Sequence, residues 1–251
     1  MHRFMQATME LIDRQEYISW KLPKNWHIVL TTNPDNGDYN VTSLDIAQKT
    51  RFISTEVKFC EKVWAKWAEK AGIDGRCINF LLMNPEVVSK SVNPRAMTTF
   101  FNSISSIDKF EEQLPLIQMI GEGSVGAETS TMFTMFINNK LDQIISPSDI
   151  LNNPNEAYVV GALNTAVGHG DSFRADISSV VATRIVNFAL THAENNPVSD
   201  QMIQRLVKLT TDCDAFTDDL KYFMVKEIVN GNKVKFAKLM MNQNVVKMAV
   251  K

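Results

Sequence analysis

Cysteine and histidine are both scarce in this chain of 251 residues. The three cysteines, Cys60, Cys77 and Cys213, are far apart, odd in number and in no C-x-x-C spacing. That pattern excludes a disulfide-stapled scaffold and argues for free thiols in a reducing compartment, so an intracellular, cytoplasmic setting is expected. The four histidines, His2, His27, His169 and His192, show no metal-ligand spacing and no cysteine cluster joins them, so no zinc centre is encoded. No run approaches the ~18 apolar residues of a membrane span, and no basic segment leads into an apolar stretch at the amino terminus. Neither an anchor nor a signal peptide is expected. Charge of one sign is also lacking: the formal net of −2 gives no global attraction to nucleic acid. Gly-x-Ser-x-Gly, a Cys-His pair, internal repeats and low-complexity tracts are absent as well.

What is present is a globular composition, 45% hydrophobic, in a chain long enough for one large or two modest domains. MHRFMQATMELI sets Phe4, Met5, Met9, Leu11 and Ile12 near one side of a helix that begins without a capping residue. EYISWKLPKNW alternates as a short edge hairpin does, broken by Pro23. HIVLTT, residues 27–32, and RFISTEVKF, residues 51–59, read as neighbouring strands. After Phe59 the texture turns helical. CEKVWAKWAEKAG ends at Gly72, a good helix stop; CINFLLMNPE is a short helix or apolar turn, and NPRAMTTFFNSI starts a helix at Pro94. Further helices are expected near 108–121, 126–140, 155–167, 173–194, 199–211 and 216–230, separated at SPSD, NNPNE, GHGD and NNPVSD. Three segments follow: 1–59, 60–140 and 141–251. Trp64 and Trp67, three residues apart, are read as core residues of one helix face rather than as a stacking platform.

The chemistry concentrates in VLTTNPDNGDYNV. Pro34 pushes Asn33 towards the extended region, which fixes it at the carboxyl end of the HIVLTT strand, where open α/β sheets bind ligands. The plainer reading is a turn, since Asp35, Asn36 and Gly37 are turn-forming types. Arg51 then opens the second strand and Arg95 opens a later helix. An amide that orients water, followed by two guanidinium groups that bond phosphate oxygens in pairs, is the order a phosphoryl-transfer site needs. Each residue also has an ordinary reading: Arg51 paired with a carboxylate such as Asp45 or Glu56, and Arg95 in a surface contact at a helix start.

HIVLTTNPDNGDYNVTSLDIAQKTRFI resembles the sensor-1 to arginine-finger region of AAA+ ATPases, particularly MoxR-like members and related phage or plasmid ATPases. NPRAMTTFF resembles their sensor-2 helix, and the likeness covers about residues 1–101. It implies a remnant of a P-loop NTPase α/β sheet, a mainly α-helical lid and a helical carboxyl-terminal domain. Asn33 would be sensor 1, Arg51 the finger offered to a neighbouring subunit's nucleotide, and Arg95 sensor 2, with ATP and Mg²⁺ as cofactors. A homo-oligomeric ring, or at least a dimer, and a remodelled protein or nucleoprotein partner would go with it.

The departures from that family are equally specific. GxxxxGK[ST] is missing, and so is an apolar strand ending in Asp-Glu, so the half that grips ATP would be separate and this chain would not hydrolyse ATP alone. GEGSVGAETS, residues 121–130, contains G-x-G-x-x-G but no strand precedes it, and Glu128 would repel phosphate; it reads as a loop between helices. HGD at 169–171 reads as a polar loop, with an acid/base pair as the other possibility. The tail from Asn232 carries Lys233, Lys235, Lys238, Lys247 and Lys251 with no acid, and is expected to be a solvated basic face on a packing helix. Two further functions stay open: a nucleotide-free clamp-loader-like or adaptor subunit, and a purely structural helical protein. An exposed half-sheet would also make the chain aggregate or depend on a partner.

Overall fold

The computed structural model describes residues 2–33, 49–88, 92–139 and 144–250. It divides into two compact units, Met1–Lys58 and Phe59–Lys251. The chain is mainly helical, and the sheet among the described residues is a two-stranded hairpin.

In the first unit, helix α1 (His2–Arg14) half-buries Met9, Leu11 and Ile12 and leads into β1 (Glu16–Tyr17) and β2 (Trp20–Lys21). The strands are antiparallel, with Tyr17 opposite Trp20 and Glu16 opposite Lys21, so the hairpin expected from EYISWK forms. The strands expected at 27–32 and 51–59 do not. Residues 26–33 and 53–60 lie outside any helix or strand, and most of their apolar side chains face solvent: Val29 is 82% exposed and Val57 92%, while Ile28 and Phe59 are half-buried. The physical reason is that a strand is defined by its partner. A β-branched run has the propensity but no ladder of its own, and no neighbour pairs with either run among the described residues.

The second unit builds two apolar cores. Around the first pack α2 (Glu61–Ala71), α3 (Gly75–Met83), α4 (Pro94–Ser103), α5 (Leu114–Val125) and α6 (Ala127–Asn138). Gly72 at φ 72° stops α2 by returning its N–H to Ala68 and Glu69, a left-handed cap that glycine adopts without a Cβ clash. Asn93 caps α4 by accepting from the Ala96 N–H at 2.9 Å, with Pro94 in the first turn as the sequence predicts. Phe133 sits among aromatic rings, edge-on to Phe80 at 5.0 Å and to Phe100 at 5.2 Å, the arrangement ring quadrupoles favour.

The G-x-G-x-x-G run is not a loop. Gly121 to Val125 belong to α5, residues 127–130 to α6, and Gly126 alone, at φ 83°, connects them. Gly121 lets the two helices approach, since a Cβ there would come 2.4 Å from the Ser130 hydroxyl oxygen. The Ser130 hydroxyl donates to the Gln118 carbonyl at 2.9 Å. Glycine here serves helix packing.

The second core holds α7 (Pro147–Asn152), α8 (Glu156–Val167), α9 (Ala175–Asn195), α10 (Asp200–Thr211), α11 (Asp218–Gly231) and α12 (Gln243–Val250). Three of the four breaks in the sequence, SPSD, NNPNE and NNPVSD, turn out to hold caps, while GHGD leads into α9 with no side-chain cap at Arg174. Ser146, Asn155, Ser199 and Thr217 each accept a backbone N–H from the first turn of the helix that follows. α9 is the central element, apolar on most sides, with Ile177, Val181, Ile185 and Ala189 buried against its neighbours. The lysine tail packs as expected. Lys235 Nζ donates to the carbonyls of Ala193 and Asn196 at the end of α9, and Lys238 Nζ pairs with Asp200 at 2.6 Å, while Phe236, Leu239 and Val245 are buried.

One buried charge ties the two cores together. Arg184, on α9 and 7% exposed, donates to Asn79 Oδ1 of α3 at 3.2 Å and lies 3.4 Å from the Glu69 carboxylate of α2. Gly75 makes room for it, because a Cβ would stand 2.7 Å from its Nη2. A second node braces α3. Asp74 caps the helix and binds Arg76 through both carboxylate oxygens, while the Arg76 guanidinium covers the Phe110 ring at 3.5 Å. Burial pushes the Asp74 carboxyl up, but the hydrogen bonds and charge of Arg76 together outweigh it and hold the group below its ordinary 3.8.

Gly121→Ala should lower stability by about 1–3 kcal/mol in urea denaturation, because the Ser130 hydroxyl is itself fixed and cannot step aside. A depressed folded-state pKa means that Asp74 stabilises the fold above its unfolded pKa and loses that contribution as pH falls through the folded value. The stability gap between wild type and Asp74→Asn should therefore be full at neutral pH and close as the pH drops below 3.8. Parallel urea titrations across that range measure it.

Candidate functional site

Asn33 and Arg51 stand in the first unit, and Arg95 in the second. Asn33 is exposed at the end of the irregular 26–33 run, where the Thr32 hydroxyl donates to its carbonyl at 3.1 Å. Residues 34–48, which include the rest of the NPDNGD loop and Asp45, lie outside the described residues. Arg51 Nε reaches both carboxylate oxygens of Asp13, at 2.8 Å each. That partner comes from α1, 38 residues upstream, and is one that local spacing does not suggest. Glu56, the nearby carboxylate considered for this role, faces Lys58 at 4.0 Å. The Arg51–Asp13 side chains remain about two-fifths exposed, 39% and 44%. Such a pair contributes roughly 0–1 kcal/mol.

Arg95 occupies the first turn of α4, exposed, and no ion pair reaches it among the described residues. It rims a shallow cleft of about 280 Å³ whose other walls are Trp64, Trp67, Pro94 and Thr98. The two indoles differ in burial. Trp64 is part of the first core and packs on Phe101 at 6.0 Å between centroids, with its Nε1 lacking a hydrogen-bond partner. Trp67 is 48% exposed, its ring 6.2 Å from Trp64 and tilted by 55°. Reading both as core is thus corrected for Trp67. The buried stripe of α2 runs through Trp64, Ala65 and Ala68, and a three-residue step falls ~60° short of a full helical turn, which leaves Trp67 at the margin of that stripe. The wheel angle was the available clue.

A second cavity, about 300 Å³, opens between α8 and α10 beside Glu156, Val160, Arg205, Lys208 and Cys213. Its Lys208 is engaged within the protein and its Arg205 in part, the buried Arg205 Nη1 having no hydrogen-bond partner among the described residues. Lys208 Nζ binds the Glu156 carboxylate at 2.6 and 2.7 Å, and this hydrogen bond holds the Glu156 carboxyl below its usual value. Arg205 Nη2 donates to the Asn153 carbonyl at 2.9 Å. Burial pushes the Cys213 and Cys77 thiols up, which removes them as nucleophiles near neutral pH.

Around His169 and Asp171 the loop is organised by its serine: the Ser172 hydroxyl donates to the His169 carbonyl at 2.8 Å. Gly168, at φ 73°, lets that turn close, since a Cβ would meet the Ser172 carbonyl at 2.4 Å. Both His169 and Asp171 are exposed, which places them in the polar-loop reading. Among the described residues no cluster of three His, Cys, Asp or Glu side chains could hold a metal ion, and no helix is long and apolar enough to cross a membrane. No protein-family model, curated protein or solved structure matches this chain.

A double-mutant cycle on Arg51 and Asp13, using Arg51→Ala and Asp13→Asn, should give a coupling energy below about 1 kcal/mol in urea denaturation. A larger coupling would show that the pair is a structural lock and that Arg51 is not free to act elsewhere.

Proposed function

We propose that this chain is the carboxyl-terminal part of a MoxR-like AAA+ ATPase, supplying Asn33, Arg51 and Arg95 to a nucleotide site. ATP and Mg²⁺ are held mainly by a P-loop-bearing half, and the chain alone does not hydrolyse ATP. The observation that carries this reading is the state of the two runs that bear Asn33 and Arg51. Runs with the composition of interior strands lie outside any helix or strand with most of their apolar side chains exposed, Val29, Leu30, Ile53 and Val57 among them, Asn33 at the end of one and Arg51 in the turn before the other. Apolar area returned from water to a sheet is favourable by about 25 cal/mol per Å², so these runs are pairing surfaces for further strands.

In the completed site, the Asn33 amide orients the attacking water and the two guanidinium groups offset charge on the phosphoryl oxygens, Arg51 across a subunit boundary and Arg95 from the helical lid. A finger acting across a boundary requires an oligomer, a ring or at least a dimer. Hydrolysis then drives remodelling of a protein or nucleoprotein partner. A second reading, a non-catalytic adaptor or clamp-loader-like subunit, draws on a different observation: the helical unit from Phe59 onwards has two apolar cores of its own.

Coexpression with the polypeptide encoded directly upstream separates the two. Under the leading reading that polypeptide carries a P-loop and an Asp-Glu strand, the complex hydrolyses ATP, and Arg51→Ala lowers kcat by at least about 10³-fold. Undiminished turnover in Arg51→Ala, or an upstream polypeptide without a P-loop, transfers the assignment to the binding subunit.

A further inference from the structure

We infer that the contact of α2 and α3 with α9 is a polar seam at which the two halves of the helical unit part and close, with Arg184 as the latch. This motion lies within the unit and is independent of the nucleotide reading above. Two residues mark the side of α9 that meets α2 and α3: Arg184 reaches Glu69 and Asn79, and Glu194 pairs with Lys70. Thr183, Asn187 and Thr191 fall on the same side, within about 100° of Arg184 around the helix. Thr183, Arg184 and Asn187 are buried there and Thr191 half-buried. The stripe is thus polar where helix contacts are usually apolar. The cores on either side do not close over it, since no buried apolar residue is common to the two and Met83, only partly buried, packs against each.

The bonds across the seam are long or missing. Arg184 stands 3.2 Å from Asn79 Oδ1 and 3.4 and 3.5 Å from the two Glu69 oxygens, where charge-assisted hydrogen bonds settle at about 2.7–2.9 Å. Asn187 Nδ2 and Thr191 Oγ1 are buried with no hydrogen-bond partner among the described residues. These features keep the cost of opening small. Parting an apolar joint returns oily area to water, whereas water entering this seam hydrates Arg184 and Glu69 and bonds the free groups of Asn187 and Thr191. Polar interfaces between parts of one chain permit relative motion by default. Arg184 defines the closed position because its donors meet acceptors on α2 and α3 at once, in the space that Gly75 leaves.

The test is maleimide labelling of the full chain below its urea transition, each thiol read by mass spectrometry of its own peptide, in a Cys60→Ser background that removes the exposed native thiol. Asn187→Cys puts a probe in the seam, and Thr183→Cys, buried on the same stripe, is a second. Ile185→Cys puts one in the second core and native Cys77 reports the first, both positions being fully buried. The seam thiols should react at least about 100-fold faster than Cys77, at rates that barely rise with urea, while labelling at 185 and 77 should climb steeply because it requires the cores to unfold. Should Ile185→Cys fail to fold, Cys77 still supplies the reference. Adding Glu69→Gln should speed the seam thiols at least about tenfold by weakening the latch. Equal rates and equal urea slopes at 187, 183 and 77 would mean that the unit opens only by unfolding, and the seam is then a fixed joint. Fast seam thiols that Glu69→Gln leaves within twofold would remove Arg184 as the latch.

Discussion

The arrangement of the helical unit depends on one buried guanidinium. Arg184 crosses from the core around α9 to Asn79 and Glu69 on the helices that surround the aromatic cluster, and Gly75 leaves the space it needs. Taking that charge out of water is unfavourable, and the carboxylate and amide offset it; with one partner removed, a charge left buried costs about 3–5 kcal/mol. The two apolar cores are also joined by shared packing, with Met83 in contact with both, and at the surface by the Lys70–Glu194 ion pair between α2 and α9. Hydrophobic burial is non-directional and supplies most of the favourable free energy. A guanidinium with a fixed fork of donors adds what burial cannot, a single orientation of α2 and α3 against α9.

That orientation matters because α2 carries Trp67 and packs beside the start of α4, where Arg95 sits. The cleft is thus held by elements whose ends are individually fixed: Gly72 stops α2, Asp74 with Arg76 starts α3, and Asn93 with Pro94 starts α4. Sites on well-capped helices hold their side chains in fewer positions than sites on loops. The first unit is built differently. Its hairpin pairs two residues with two, and its β-branched runs stand in solvent.

Legibility of the sequence divided along the same line. Several helices after Phe59 could be read because they carry their own punctuation: Ser146, Asn155, Ser199 and Thr217 are caps whose effect is local, and Pro94 and Gly72 act within one turn. The strands at 27–32 and 51–59 could not, because pairing is a property of two segments and neither run specifies its neighbour. Long-range polar partners escaped for the same reason. Nothing near Arg51 names Asp13, and nothing in SSVVATRIVNF names Glu69 or Asn79 as the groups awaiting Arg184. Trp67 was a different kind of miss, a boundary position on a helix wheel where a few tens of degrees decide between core and surface.

The lysine tail has a consequence beyond charge. Lys235 caps the carboxyl end of α9 by donating to two of its terminal carbonyls, and Phe236 and Leu239 are buried alongside. The longest helix among the described residues is therefore finished by residues some forty positions further along the chain. The last turn of α9 is thus secured from outside its own segment, and loosening the stretch around Lys235 would fray that helix from its carboxyl end first.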